Sequence, residues 1–355
     1  MKKLLFFFCA LTVFSNAKGQ MTPEPQKIIF DTDSAYFNDD GAALSILLHR
    51  PEVMIMGVTL VAGNYWIPQG AAYTLNVLDI LQRTDVPVYF GETSSIREQK
   101  SLVSDYLEQK NQRSFDIGWL GALIQEEGEA ITMPFGEQVP DLSRATPGAV
   151  DFIIETIKDN PDEVTILALG PMTNIAKAIL KAPEIQTKIK SIVWMGGSVF
   201  EKGNSSPHAE FNFWFDPKSA MIVVQSTIPN KVMFGLDATN QAVLTKIEFD
   251  QVVAQDSLIK DIYANDHGHR YPGFYKNPEA KSYIWDALAA VYLFDPSFVL
   301  QMEKMHLKVD GSYSPTMGKV FHSKTKKDQF SEVSVATKLD HQKFFDLYVR
   351  ALKIN

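Results

Sequence analysis

Asp31, Asp33, Asp39 and Asp40 fall within ten residues of one another, in the run Asp31-Thr32-Asp33-Ser34-Ala35-Tyr36-Phe37-Asn38-Asp39-Asp40. Four carboxylates so close repel one another unless something neutralises them. Asp39 and Asp40 stand where a helix begins, and its N-terminal dipole favours each anion by about 0.3–1 kcal/mol. That suffices for capping but leaves the other charges unexplained. A hard divalent cation with oxygen ligands would neutralise them; the plain alternative is an acidic loop ending in an N-cap. An EF-hand is excluded, because the sixth position from Asp31 is Tyr36 rather than Gly and the twelfth is Ala42 rather than Glu. Far downstream, Asp286 lies inside an apolar helical pattern running from Ile284 towards Leu293. A carboxylate in such a pattern is rarely buried unpaired, so a metal ligand and a buried salt-bridge partner both fit it.

The elements that must position these groups are short apolar, β-branched runs at 27–30, 53–61, 86–90, 164–169, 191–195 and 231–236, separated by helical patterns at 41–49, 71–81, 149–158 and 172–180. Strand alternating with helix predicts parallel βαβ units, hence an α/β single domain on a mostly parallel, doubly wound sheet. Ligands in such sheets bind beyond the carboxyl ends of the strands. The strand runs give way to polar residues or glycine: Asp31 and Asp33, Gly63-Asn64, Gly170 to Asn174, Gly196-Gly197, and Asp237. The C-terminal part predicts strands at 305–309 and 333–337 and a closing amphipathic helix at 341–353, within the same domain.

The chain has 355 residues, 45% hydrophobic and 21% charged, with a formal net charge of −8. That composition excludes a disordered or fibrous protein. An acidic chain without a Lys/Arg cluster is also a poor partner for nucleic acid or anionic membrane. Residues 1–20 stand apart: Lys2 and Lys3, an apolar run from Leu4 to Phe14, then small and polar residues, the order of a secretory signal peptide. The run is too short to span a bilayer, and no later segment is long and apolar enough. The expectation is an exported protein, periplasmic or secreted, whose domain occupies residues 21–355. Cys9, the single cysteine, leaves with the signal, and loss of Lys2, Lys3 and Lys18 takes the charge from −8 to −11.

Five motifs in order then resemble the inosine-uridine-preferring nucleoside hydrolase superfamily over essentially all of the mature chain. They are Asp31-x-Asp33 with Asp39-Asp40; Val61-Ala62-Gly63-Asn64; Ala168-Leu169-Gly170-Pro171-Met172-Thr173-Asn174-Ile175-Ala176; Met195-Gly196-Gly197 with Asn204, Ala209-Glu210-Phe211-Asn212 and Asp216-Pro217; and Trp285-Asp286. The resemblance implies Ca2+-dependent hydrolysis of the N-glycosidic bond of ribonucleosides. It implies metal ligation by Asp33, Asp40, the Leu169 carbonyl and Asp286, with Asp33 the general base for the attacking water. Asp39, Asn64 and Asn204 match residues near the ribose hydroxyls, and Met195, Glu210 and Asn212 those around the 5′-hydroxyl. It also implies dimers or tetramers.

Two departures bear on the chemistry. Many family members carry His before the late aspartate as proton donor, where this chain has Trp285, as in a purine-preferring branch in which aromatic rings stack the base. An aromatic pair is worth about 0.5–1.5 kcal/mol, whereas a general acid worth about 10²–10⁴-fold supplies about 3–5 kcal/mol. Stacking as mere attraction therefore does not replace the acid. His267 and His269 are candidate donors, although solvated loop histidines is the plainer reading; Trp66 and Trp119 are candidate facing rings, although packing is the plainer reading for each. In the first motif Ala35 and Phe37 replace the usual Gly and Asp, and the polar stretch 97–115 reads as a lid. Competing readings are a phosphatase of the haloacid dehalogenase type, with Asp31 as nucleophile and Mg2+ as metal, which leaves Glu210, Asn212 and Trp285-Asp286 without roles; a non-catalytic nucleoside or ribose binder on the same scaffold; and a hydrolase of another ribosyl compound.

Overall fold

Alternation along β1 shows how the layers form: Ile28 and Phe30 enter one apolar core while Ile29 between them enters the other, so the strand is buried on both faces. The structure, a computed structural model, describes residues 24–34, 36–37, 39–96, 130–312 and 314–354. The signal segment 1–20, the whole 97–115 stretch, Trp119 and Ala35 lie outside the described residues.

The first half runs β1 (Gln26–Thr32), α1 (Asp40–Leu48), β2 (Val53–Leu60), α2 (Ile67–Ile80), β3 (Val88–Phe90), β4 (Ala145–Pro147), α3 (Ala149–Asp159), β5 (Val164–Ala168) and α4 (Thr173–Lys181). It continues through β6 (Ser191–Met195), α5 (Phe211–Phe215), α6 (Pro217–Val224), β7 (Lys231–Phe234), α7 (Leu236–Thr239), β8 (Val243–Leu244), α8 (Lys246–Val253) and α9 (Lys260–Asn265). Then come β9 (Ser282–Tyr283), α10 (Trp285–Tyr292), β10 (Val299–Val309), β11 (Val320–Ser323), β12 (Ser331–Leu339) and α11 (His341–Ala351).

Ten strands form one sheet in the order β11-β10-β12-β7-β6-β5-β1-β2-β3-β4, with β8 and β9 paired apart. From β12 to β4 every pairing is parallel, and β10 is antiparallel to both its neighbours. The chain leaves β1 towards β2, β3 and β4, then returns to lay β5 on the other side of β1. That reversal makes the ends of β1 and β5 the crevice where an open α/β sheet takes its ligand.

The parallel, doubly wound sheet is as expected, with differences at its margins. β4 ends in Pro147 and β11 is an edge strand of only four residues, so neither carries the apolar run that marks a buried strand. β10 begins at Val299, earlier than expected: its first half is irregular in register, exposes Leu300, Gln301 and Lys304, and buries no residue before Met305, so the apolar alternation marks only its second half. Leu236, read as the last residue of a strand, and Asp237, read as following it, belong to α7 instead. Asp237 accepts the N–H groups of Val199, Phe200 and Glu201 at 2.8, 2.6 and 3.2 Å, holding the loop after β6. Among the described residues no helix is long and apolar enough to cross a membrane.

Candidate active site

β1 stays paired on both sides to its last residues: Leu169 N–H donates to Asp31 O at 2.8 Å and Val61 N–H to Thr32 O at 2.9 Å. Asp31 turns inward, accepting the Thr59 hydroxyl at 2.6 Å and Asn174 Nδ2 at 2.8 Å, and burial pushes its carboxyl up to about 7. Asn174 also donates to Leu60 O at 3.0 Å and accepts Glu92 N–H at 2.9 Å, so one amide ties together the ends of β1, β2 and β3. The next outward residue, Asp33, sits in a slot that only glycine permits. A Cβ on Gly63 would lie 2.1 Å from Asp33 Oδ2, and one on Gly170 would lie 2.7 Å from Asp33 N. Asn64 N–H donates to Asp33 Oδ2 at 2.7 Å.

Two helices begin beside this slot. Asp39 is the N-cap of α1 with Asp40 in its first turn, and Asp286 is in the first turn of α10. Asp39 Oδ1 accepts Asp286 N–H at 2.9 Å, while the Thr32 hydroxyl donates to Asp40 Oδ1. Burial raises the carboxyls of Asp33, Asp39 and Asp286 well above the usual range, and the neighbouring carboxylates raise them further. The Asp40 carboxylate is among the charges that raise Asp286. Among the described residues no three His, Cys, Asp or Glu side chains form a ready-made metal cage.

Across the crevice, Glu210 caps α5: Oε1 accepts Asn212 N–H at 2.9 Å, and Oε2 accepts Gly197 N–H at 2.8 Å and Phe213 N–H at 3.2 Å. Gly197 reaches this contact at φ +77°, the left-handed region. Burial, opposed by these donors, leaves the Glu210 carboxyl raised to about 7. Asn212 Nδ2 donates to Leu169 O at 2.8 Å and to Met195 O at 3.1 Å, joining the ends of β5 and β6. Two asparagine side chains each have an amide atom buried without a partner among the described residues: Asn64 Oδ1 and Asn204 Nδ2.

Trp285, the first residue of α10, is half-buried against the core and packs on Tyr283 with ring centroids 5.5 Å apart. Trp66 is the N-cap of α2. The reading of His267 as a solvated loop residue is overturned. It lies in the turn Asp266–Arg270, is fully buried 4.3 Å from the Tyr263 ring, and burial pushes it down to about 3. It is therefore neutral and turned into the core; nothing in its local sequence marks that, because the burial comes from α9. His269 is exposed beside Tyr275. A cluster not anticipated from the sequence stands near Asn64: Arg270 Nη2 donates to Tyr65 Oη at 3.2 Å and Nη1 to Asp266 Oδ1 at 3.2 Å, with Tyr73 5.1 Å from the Tyr65 ring. Asp266 and Arg270 are an i,i+4 pair, but Tyr65 is 205 positions from Arg270, so no local spacing joins the cluster.

The geometry assembles the five motifs on one edge of the sheet, and comparison with known proteins accounts for that arrangement. The profile described as inosine-uridine preferring nucleoside hydrolase matches residues 28–346. The chain belongs to the inosine-uridine preferring nucleoside hydrolase family. Membership makes it a ribonucleoside hydrolase, an N-glycosidase. It is 30% identical over 298 residues to the pyrimidine-specific ribonucleoside hydrolase RihB of Escherichia coli, covering 83% of this chain and 87% of that one. Its fold matches a purine-preferring ribonucleoside hydrolase from Gardnerella vaginalis with a TM-score of 0.68 and 26% identity, covering 92% of this chain and 98% of that one. A plant nucleoside hydrolase matches with a TM-score of 0.72 and 24% identity, over 93% of this chain and all of the other. Kinship alone does not divide purine from pyrimidine preference in this nucleoside hydrolase.

Proposed function

We propose that this nucleoside hydrolase is calcium-dependent, prefers purine ribonucleosides, acts outside the cytoplasm after removal of residues 1–20, and uses Asp33 as general base. The observation that carries the reading is the set of buried, mutually repelling carboxylates at the β1/β5 crevice. Such a set is costly unless a cation offsets it. The available donors are all hard oxygens, three carboxylates on Asp33, Asp40 and Asp286 and the carbonyl of Leu169, which is the chemistry Ca2+ selects. Bound there, Ca2+ would offset the carboxylate charge and lower the pKa of a coordinated water. The residual negative charge suits the oxocarbenium-like ribosyl species formed as the C1′–N bond breaks.

The protein's own groups do the rest. Asp33, fixed by the Asn64 N–H and walled by Gly63 and Gly170, takes the proton of the attacking water. A buried amide atom without a partner costs about 1–3 kcal/mol, and Asn64 Oδ1 and Asn204 Nδ2 would recover that cost by binding ribose hydroxyls, beside Asp39. Met195, Glu210 and Asn212 surround the 5′-hydroxyl. Trp285 lies against the base, and its breadth with Tyr283 favours a purine. The test is release of free base from inosine, guanosine, uridine and cytidine by the chain from residue 21, with Ca2+ or a chelator. Faster release from the purines, abolished by chelation, is expected. Equal release from uridine overturns the purine assignment, and release that survives chelation overturns the calcium assignment.

A further inference from the structure

The proposed reaction lacks a group to protonate the departing base. Trp285 carries no acid, His267 is sealed in the core, and His269 stacks on Tyr275 at the surface. On the same turn Arg270 is held by Asp266, Nη1 to Oδ1 at 3.2 Å. From that anchorage Arg270 reaches Tyr65 Oη at 3.2 Å. Tyr65 is the neighbour of Asn64, whose N–H is on Asp33; burial raises its phenol, the Arg270 charge opposing, so the hydroxyl keeps its proton in neutral water.

The donor count fixes the direction of these contacts. A guanidinium has five N–H groups and no acceptor, whereas a phenol has one O–H and two lone pairs. Tyr65 Oη must therefore accept from Arg270, and its own proton is left to be given elsewhere. Among the described residues no acceptor takes it. The Tyr73 ring, edge-on at 5.1 Å, fixes the plane of Tyr65. We propose that Tyr65, oriented by Arg270, is the catalytic residue that donates a proton to the leaving base, with Arg270 as its positioning residue.

The step balances. The C1′–N bond breaks with its electron pair passing to the base nitrogen, which takes the Tyr65 proton. The water oxygen bonds to C1′ and its proton passes to Asp33. Transfer of that proton through solvent restores the Tyr65 phenol and the Asp33 carboxylate, leaving free base and ribose.

The inference rests on the hydrolase reading, and the test separates the two. Inosine needs a proton on its leaving group, whereas 4-nitrophenyl riboside does not, since nitrophenolate leaves as an anion. Wild type, Tyr65→Phe and Arg270→Gln are assayed on both substrates with Ca2+ present. Tyr65→Phe is expected to lower kcat on inosine about 100-fold while 4-nitrophenyl riboside falls less than about threefold. Arg270→Gln should lower kcat on inosine about tenfold, with KM and nitrophenyl cleavage little changed. Equal losses on both substrates, or no loss on either, overturn the inference and leave the hydrolase reading standing. A wild-type chain that cleaves neither substrate overturns both.

Discussion

Asp286→Asn should make the metal-free protein more stable and the calcium-bound protein less so. Asp286 is buried, and burial together with the charges of Asp39, Asp40 and Asp33 raises its carboxyl. Two like charges about 5 Å apart at an effective dielectric of about 20 repel by about 3 kcal/mol. Protonation caps that cost, since each pKa unit is worth about 1.4 kcal/mol. Asparagine keeps the shape, offers Asp40 a donor at every pH, and leaves the backbone bond to Asp39 intact. The expected relief is about 0.5–2 kcal/mol, the usual size when a strained site charge is removed. A carboxyl whose folded pKa is raised does not penalise folding below its unfolded value. The penalty grows as pH rises from the unfolded value through the folded one, so the advantage of asparagine is small in acid and increases with pH. At about 2–4 °C per kcal/mol for somewhat smaller domains, the variant should melt about 1–5 °C above wild type in chelator. With Ca2+ at about 100 times its Kd, wild type gains about 2.7 kcal/mol, whereas the variant, short of a carboxylate ligand, gains little. The order of melting temperatures should therefore reverse. Thermal unfolding by circular dichroism with chelator and with Ca2+ reads both arms. A variant less stable in chelator, or equally stabilised by Ca2+, refutes the reasoning.

Calcium affinity should rise with pH, because protons and the ion compete for carboxyls that burial and mutual repulsion hold raised. Calorimetry in two buffers of different ionisation heat should show proton release on binding. Gly63→Ala should lower kcat at least about 100-fold, since its Cβ would fall 2.1 Å from Asp33 Oδ2. Nucleoside turnover compared with the melting temperature distinguishes this from unfolding. Asn174→Ala should cost about 3 kcal/mol or more in denaturant unfolding, because Asp31 Oδ2, Leu60 O and Glu92 N–H all lose a partner.

Fold class and the location of the chemistry were legible in the order of residues alone. Period-2 burial and βα alternation are local properties, and in a parallel sheet the loops after the strands must share one edge, so Asp33, Asn64, Leu169 and Met195 were bound to meet. The helix start at Asp39 and Asp40 was legible too, because exposed N–H groups there favour acids, whereas the caps that Glu210 and Asp216 supply to α5 and α6 emerged only in the structure. What a side chain does once several elements close around it was decided only in three dimensions. Asp31 and Asp33 are two residues apart and chemically alike, yet Asn174 and Thr59 claim the first while the second faces the crevice. His267 and His269 look interchangeable in a polar stretch, yet the packing of one turn against Tyr263 buries the first and leaves the second in water. The Arg270–Tyr65–Asp266 cluster joins residues up to 205 positions apart. Burial and hydrogen-bond partnership are sums over neighbours distant in the chain, and no periodicity encodes them.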